Sequence, residues 1–228
     1  MTETKDWHDW HSPYADETSA LSQRLRLVQR HISDWLDERP ESALRVVSVC
    51  AGQGHDLIGV LARRSDADRV RAELIEKDSR NVAAARAGVA AAGLAGITVT
   101  CADAGDFAAY RAAVPADLVL LAGVLGNISD EDVQATITAA SRLCAPGATV
   151  IWTRTRRAPD LTPAVRGWFA GAGFTELAFH APPQVLFSVG VHRLHEQPEN
   201  PPPSGRFFTF ERGPIQPHRV QEASSDQA

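Results

Sequence analysis

The first strong periodicity in the chain covers residues 17–37, where Leu21, Leu25, Val28, Ile32 and Trp35/Leu36 recur three and four apart with polar residues between them. That spacing predicts an amphipathic helix. The pattern then changes. "LRVVSVC" (44–50) is a short apolar run and predicts a first strand, with a helix after it over about 55–63. "AELIEK" (72–77) predicts a second strand, followed by an Ala-rich helix, "DSRNVAAARAGVAAAGL", that ends near Gly93. A third strand over 96–102 leads to a short helix around Phe107–Ala113. A fourth over 116–123 leads to a helix with Ser129 as its N-cap. "GATVIWTR" (147–154) predicts a fifth strand, and the helix behind it takes Thr162 as N-cap and Pro163 at its first position.

Five alternations of strand and helix at this spacing predict a parallel, doubly wound sheet. The end differs. "FTELAFHA" (174–181) and "VLFSVGVHRL" (185–194) are joined by "PPQ" alone, which is too short for a crossover helix. These two strands are therefore predicted to be antiparallel neighbours. From 196 the chain is Pro-rich, and its aromatic sequel "RFFTF" is expected to dock on the body, because clustered Phe side chains are costly to leave in water. The last ~12 residues read as disordered. The organisation expected is a helical N-terminal extension over 1–40, a core over 41–195 and a tail over 196–228.

Composition changes this picture little. A length of 228 residues, 44% hydrophobic and 22% charged, suits one α/β domain with a sizeable core. A net charge of −5 argues against a nucleic-acid backbone as partner. Cys50, Cys101 and Cys144 show neither metal nor disulfide spacing, so no metal is expected. With no secretory pattern at the N-terminus and no apolar stretch near the ~20 residues of a membrane span, the expectation is a cytoplasmic protein.

Candidate chemistry begins at "VVSVCAGQGHDL" (46–57). In a doubly wound sheet, ligands sit at the carboxyl ends of the strands, where this turn falls. Gly52 and Gly54 allow the backbone to approach a ligand. A dinucleotide fingerprint would need a third glycine where Leu57 stands, and a phosphate-binding loop would need a Lys that is missing. The turn prefers a ligand without a phosphate chain. Glu76 ends the second strand, 24 residues after Gly52, where a carboxylate can accept both hydroxyls of a ribose. Asp103 ends the third strand, placed to accept an adenine amino group. Two acids after successive strands describe an adenosine slot.

On these residues the chain resembles the class I S-adenosylmethionine-dependent methyltransferases. The resemblance covers about 44–195 and includes "SVCAGQG", "LIEKDSRNVAAAR" with Glu76, "TCADAGDF" with Asp103, "DLVLLAGVLGNISDED", "LCAPGATVIWT" and the closing hairpin. It implies a mostly parallel seven-stranded sheet with an antiparallel last strand, and S-adenosylmethionine as cofactor. The cofactor is then held by the turn (Cys50, Ala51, Gly52, Gln53, Gly54), by Glu76 with Lys77, and by Asp103 with Ala104. Ser48 stands where the family commonly has an acid and Cys50 where it has its first glycine. The methionyl ammonium is therefore expected to rest on carbonyls of the turn and of Ala122 and Gly123. No tetrad of the kind carried by amino-methylating nucleic-acid enzymes follows the fourth strand, which favours a small-molecule acceptor.

The family often closes a segment before the first strand over its ligands. Here that segment is "DWHDWHSPY", which offers His11 and Tyr14 as candidate catalytic groups and Trp7 and Trp10 as an aromatic lid. A metal reading of His8-Asp9-His11 is weak, because the two imidazoles, three apart, have no evident third ligand. Asn127 and Arg154 follow the fourth and fifth strands and are candidate acceptor-binding residues, Arg154 for an acidic group. Arg24 is a weaker candidate for the methionyl carboxylate, and Asp56 reads first as a helix cap. The expected activity is methyl transfer to a small molecule, on O or N, by in-line displacement. Rival readings are a nicotinamide oxidoreductase, a binding protein without turnover, and non-methyl chemistry such as cyclisation with the same cofactor.

Overall fold

The near-continuous apolar runs of the predicted strands are buried on both faces. Between them they generate two separate cores, one on each side of a single sheet. The computed structural model describes residues 14, 16–110, 113–195 and 205–209. Helix α1 (Ala20–Asp37) precedes β1 (Leu44–Val49), α2 (Leu57–Leu61), β2 (Val70–Glu76), α3 (Ser79–Ala91) and β3 (Ile97–Cys101). A 3-10 turn over Phe107–Tyr110 leads to β4 (Ala116–Leu121), α4 (Asp130–Ala140), β5 (Cys144–Thr155) and α5 (Thr162–Gly171). Strands β6 (Phe174–His180) and β7 (Phe187–Leu194) close the fold.

The sheet has seven strands in the order β3-β2-β1-β4-β5-β7-β6. Strands β1 to β5 pair in parallel, whereas β7 runs antiparallel to both β5 and β6. The strand order reverses direction between β1 and β4. The crevice there, at the carboxyl ends of the strands, is where such sheets bind ligands. One core packs Val28, Ile32, Trp35 and Leu36 of α1 together with α2 and α3 against one face. The other packs α4, α5 and the 3-10 turn against the opposite face. Apolar strands covered on both sides in this way are what a parallel sheet requires.

Several expected boundaries move, each for a local reason. Helix α1 starts at Ala20, because the Ser19 hydroxyl caps it by accepting from the Ser22 N–H, and Leu21 and Leu25 are only half-buried. Helix α2 is a single turn rather than 55–63, and the Asp56 carboxylate accepts from the Leu57 N–H at 2.7 Å. Ser129 caps α4 as expected. Thr162, by contrast, is the first residue of α5 and not its cap. Its N–H and its hydroxyl both donate to Asp160 Oδ1, at 2.9 and 2.8 Å, so Asp160 performs the capping. The hairpin connection is longer than "PPQ" because Arg156 stitches it. The Arg156 N–H donates to Leu186 O, and its guanidinium donates to the carbonyls of Pro182 and Val185. Arg156 is thus a structural residue of the hairpin.

Trp152 on β5 anchors the second core with no exposed surface. Opposite it on β7 stands Gly190, whose missing Cβ would lie 2.3 Å from the indole ring. The indole N–H donates to His192 Nδ1 at 3.1 Å. An indole nitrogen can only donate, so His192 carries its proton on Nε2, which lies 3.6 Å from the Glu176 carboxylate. His192 also stacks on Phe169 at 4.4 Å. Burial pushes its pKa down to about 4; Glu176 opposes this shift and Arg166 adds to it. Between pH 6.5 and 4 the unfolded chain therefore binds the proton that the folded one refuses. Stability should fall as pH drops through that window, by on the order of 3 kcal/mol for this group. Denaturant midpoints measured from pH 7 to pH 4 for the wild type and His192→Gln would check it. A pH slope equal in the two proteins would show that His192 is not responsible.

Beyond the sheet, Phe207 and Phe208 are buried in the second core against Phe107 and Tyr110, as the aromatic content of "RFFTF" predicted. The remainder of the predicted tail and its expected disordered end lie outside the described residues.

Candidate functional site

The turn that leaves β1 is tied to its neighbours by its own backbone. Ala51 N–H donates to Ile75 O on β2, and Gly54 N–H donates back to Ala51 O, both at 2.9 Å. Cys50, Gly52 and Gly54 all have positive φ, at 51°, 57° and 72°. Glycine adopts this region freely and cysteine seldom does, so Cys50 is held there against its local backbone preference. Gly54 is needed for space as well, since a Cβ there would come within 2.6 Å of the Ile58 side chain. Burial, reinforced by the Glu76 and Asp103 carboxylates, pushes the Cys50 thiol well up, so it stays neutral.

Glu76 emerges from the end of β2 into the lip of this turn and is buried. Its Oε2 accepts from Gly52 N–H and its Oε1 from Asp78 N–H, each at 2.8 Å. An ionised carboxylate has about four acceptor positions, so two remain for further donors. Asp103 follows β3. Its Oδ1 accepts from Gly105 N–H at 3.0 Å, and its Oδ2 accepts from Lys77 Nζ at 2.9 Å and from Arg206 at 3.1 Å. Partial burial would raise its pKa, but Lys77, Arg206 and the Gly105 N–H hold it down at about 2. Lys77 thus serves Asp103.

Across the crevice, the loop after β4 begins with Ala122 and Gly123. Gly123 N–H donates to Thr153 Oγ1 at 2.8 Å, and Asn127 Nδ2 donates to Gly123 O at 2.7 Å. Asn127 therefore shapes this loop from within. Arg154, a candidate for an acidic acceptor, has a side chain only 12% exposed and pairs with Asp130 at 3.0 Å. It also donates to the Leu125 carbonyl, so it ties the β4–α4 loop to the start of α4.

Tyr14, Arg24, His55 and Asp56 gather beside the turn. Arg24 donates to the Tyr14 hydroxyl at 3.4 Å, and the Tyr14 and His55 rings meet edge to face at 5.1 Å. Burial raises the Tyr14 pKa further than Arg24 lowers it, so the hydroxyl is a donor at neutral pH. Burial also raises the Asp56 carboxyl and lowers the His55 imidazole. Tyr14, Arg24 and Asp56 are each legible in the sequence, but the role of His55 and the gathering of the four are not, because they depend on contacts between separate elements. Arg206 is not legible either, since its only local signal is its place in an aromatic stretch. Trp7, Trp10 and His11 lie outside the described residues.

Comparison with known proteins places this geometry in a fold. No family model matches the chain, and no curated protein matches it. Among solved structures, magnesium protoporphyrin IX methyltransferase from Synechocystis PCC 6803 with bound SAM aligns with a TM-score of 0.61 at 15% identity, covering 81% of this chain and 89% of its own. An O-methyltransferase family protein from Burkholderia thailandensis aligns at 0.57 and 18% identity over 81% of this chain, which spans 62% of that protein's length. The 4+2 cyclase SpnF aligns at 0.55 and 14% identity, covering 72% of this chain and 80% of its own. The fold is that of the class I S-adenosylmethionine-dependent methyltransferases. Among the described residues no helix is long and apolar enough to cross a membrane.

Proposed function

We propose that the chain is an S-adenosylmethionine-dependent methyltransferase whose acceptor is a small molecule. The observation that carries this reading is the buried Glu76 carboxylate, bonded to the Gly52 N–H of the turn and retaining free acceptor positions at the end of β2. The residues present fit an adenosyl ligand. Glu76 accepts the ribose hydroxyls and Asp103 the adenine amino group, with Cys50 to Gly54 as the floor and Lys77 and Ala104 beside the acids. Leu57 packs in the core at 1% exposure, which leaves α2 with a bulky contact where a pyrophosphate-binding turn has glycine. Ser48 is buried and uncharged, so the methionyl ammonium meets carbonyls of the turn and of Ala122 and Gly123. The Tyr14–Arg24 pair lies beside the same turn, where it can meet the methionyl carboxylate or the acceptor.

When bound, the cofactor supplies an electrophilic methyl and its own leaving group, so the protein has to position the acceptor and receive its proton. His11, from the segment before Tyr14, is the proposed base, with Trp7 and Trp10 as the lid. Wild-type turnover in His11→Ala would remove it from that role. Tyr14, kept protonated, orients the acceptor as a donor. Asn127 and Arg154 act by holding the β4–α4 loop at the acceptor's edge. The acidic net charge supports an acceptor other than nucleic acid, and the proposed setting is the cytoplasm.

A second reading rests on the cyclase among the structural neighbours: the same cofactor slot serving a non-methyl reaction. Titration calorimetry with S-adenosylmethionine, S-adenosylhomocysteine and NAD tests the first step, and the expected result is binding of the two adenosyl ligands and none of NAD. NAD binding alone would favour the nicotinamide oxidoreductase instead. Product mass then separates the two readings, with about +14 Da expected for one methylation. Binding without product from any acceptor would favour a protein without turnover.

A further inference from the structure

The described segment Gly205–Thr209 is separated in sequence from the sheet, yet it is built into the loop that carries Asp103. Phe107 N–H donates to Gly205 O and Phe207 N–H donates to Gly105 O, both at 3.0 Å, forming an antiparallel bridge between Asp106 and Arg206. Thr209 N–H donates to Asp132 Oδ2 on α4, so the segment spans from the β3 loop to the first turn of that helix. Gly105 is required for this approach, because a Cβ there would lie 2.2 Å from Phe208 O. Phe207 packs against Phe107 and Tyr110 of the 3-10 turn and against Phe208, and both rings are buried in the second core.

Within this strap, Arg206 is different in kind. Its side chain is 47% exposed, so it adds nothing to the core. It instead donates to Phe208 O at 3.2 Å and to Asp103 Oδ2 at 3.1 Å. An exposed ion pair of this sort contributes little to stability. Its effect is geometric. With Gly105 N–H, Lys77 and Arg206 each occupying one acceptor position, about one of the four on the Asp103 carboxylate remains. One remaining acceptor in a fixed direction matches one N–H of an exocyclic amine.

We infer that the strap Gly205–Thr209 is a wall of the adenine end of the cofactor slot, and that Arg206 is a positioning residue that orients Asp103 toward the 6-amino group. This rests on the cofactor reading above. It makes adenine selectivity depend on a residue outside the seven-stranded core.

The test is calorimetric. S-adenosylhomocysteine and its inosyl counterpart, which carries oxygen in place of the 6-amino group, are titrated into wild type, Arg206→Ala and Arg206→Lys. In Arg206→Ala the adenosyl ligand should bind roughly tenfold more weakly, while the inosyl ligand changes little, so discrimination between them narrows. Arg206→Lys should recover most of the discrimination, and the melting temperatures of all three proteins should agree. Equal weakening of both ligands would show a merely structural strap, and unchanged discrimination would show that Arg206 has no part in recognition. Either result overturns the inference while leaving the cofactor reading intact. Wild-type protein that bound neither ligand would instead overturn the cofactor reading, and the inference with it.

Discussion

Glu76→Ala is expected to weaken binding of S-adenosylhomocysteine by about 10- to 150-fold, the equivalent of the roughly 1.5–3 kcal/mol carried by hydrogen bonds to a charged acceptor. Two losses combine. The ribose loses its acceptor, and the N–H groups of Gly52 and Asp78, each held at 2.8 Å in the native site, lose theirs. The turn is strained at Cys50, whose φ is 51°, so releasing Gly52 also frees a segment that has reason to move. Glu76→Gln separates these contributions. It retains a carbonyl oxygen for one N–H but has lost the charge and half of the acceptor capacity, so its affinity should fall between those of wild type and Glu76→Ala. Calorimetry gives the three dissociation constants directly. A dissociation constant unchanged in Glu76→Ala would end the ribose assignment.

Trp152→Ala is expected to have the largest effect on stability, about 3–5 kcal/mol from the lost side chain and the cavity left behind. The ring is fully buried, stacked 5.8 Å from Phe169 and packed over the bare Cα of Gly190. Its removal also strips His192 Nδ1 of its donor, and a buried acceptor without a partner costs about 1–3 kcal/mol by itself. Trp152→Phe isolates this second contribution, because it keeps most of the volume and loses the N–H. Domains of ordinary stability have about 5–15 kcal/mol in all, so Trp152→Ala should shift the urea midpoint far more than Trp152→Phe. Gly190→Ala should destabilise the wild type by overpacking and cost much less in the Trp152→Ala background, where its methyl finds room. Additive effects of the two substitutions would mean that the contact across β5 and β7 is not the cause.

The candidate site divides along the same line between local and distant contacts. The glycine turn, Glu76 and Asp103 are readable in the sequence because each stands at a strand end, and a strand end is announced by a change from an apolar run to small or polar residues. Asp56 as a helix cap and Ser129 as the cap of α4 are readable for the same reason: capping needs only the residues within the next turn. Arg154 shows where this stops. Its position at the end of β5 suited an acidic ligand, but Asp130 on another element lies 3.0 Å away and takes the charge. Thr162 fails more subtly, since Asp160 captures both of its donors and moves the cap upstream.

The alternation of strands and helices, the antiparallel hairpin at the end and the positions of the two acids are written locally in the chain. All of these follow from periodicity and loop length, which the chain carries within a few residues. The strand order, the gathering of Tyr14, Arg24, His55 and Asp56 beside the turn, and the pairing of Arg206 with Asp103 across 103 positions arise from packing between distant segments. Such contacts have no local signal. The Arg206–Asp103 pair forms because burying Phe207 against Phe107 and Tyr110, with Phe208 beside it, removes apolar surface from water, and the arginine next to them is carried to the carboxylate by that packing.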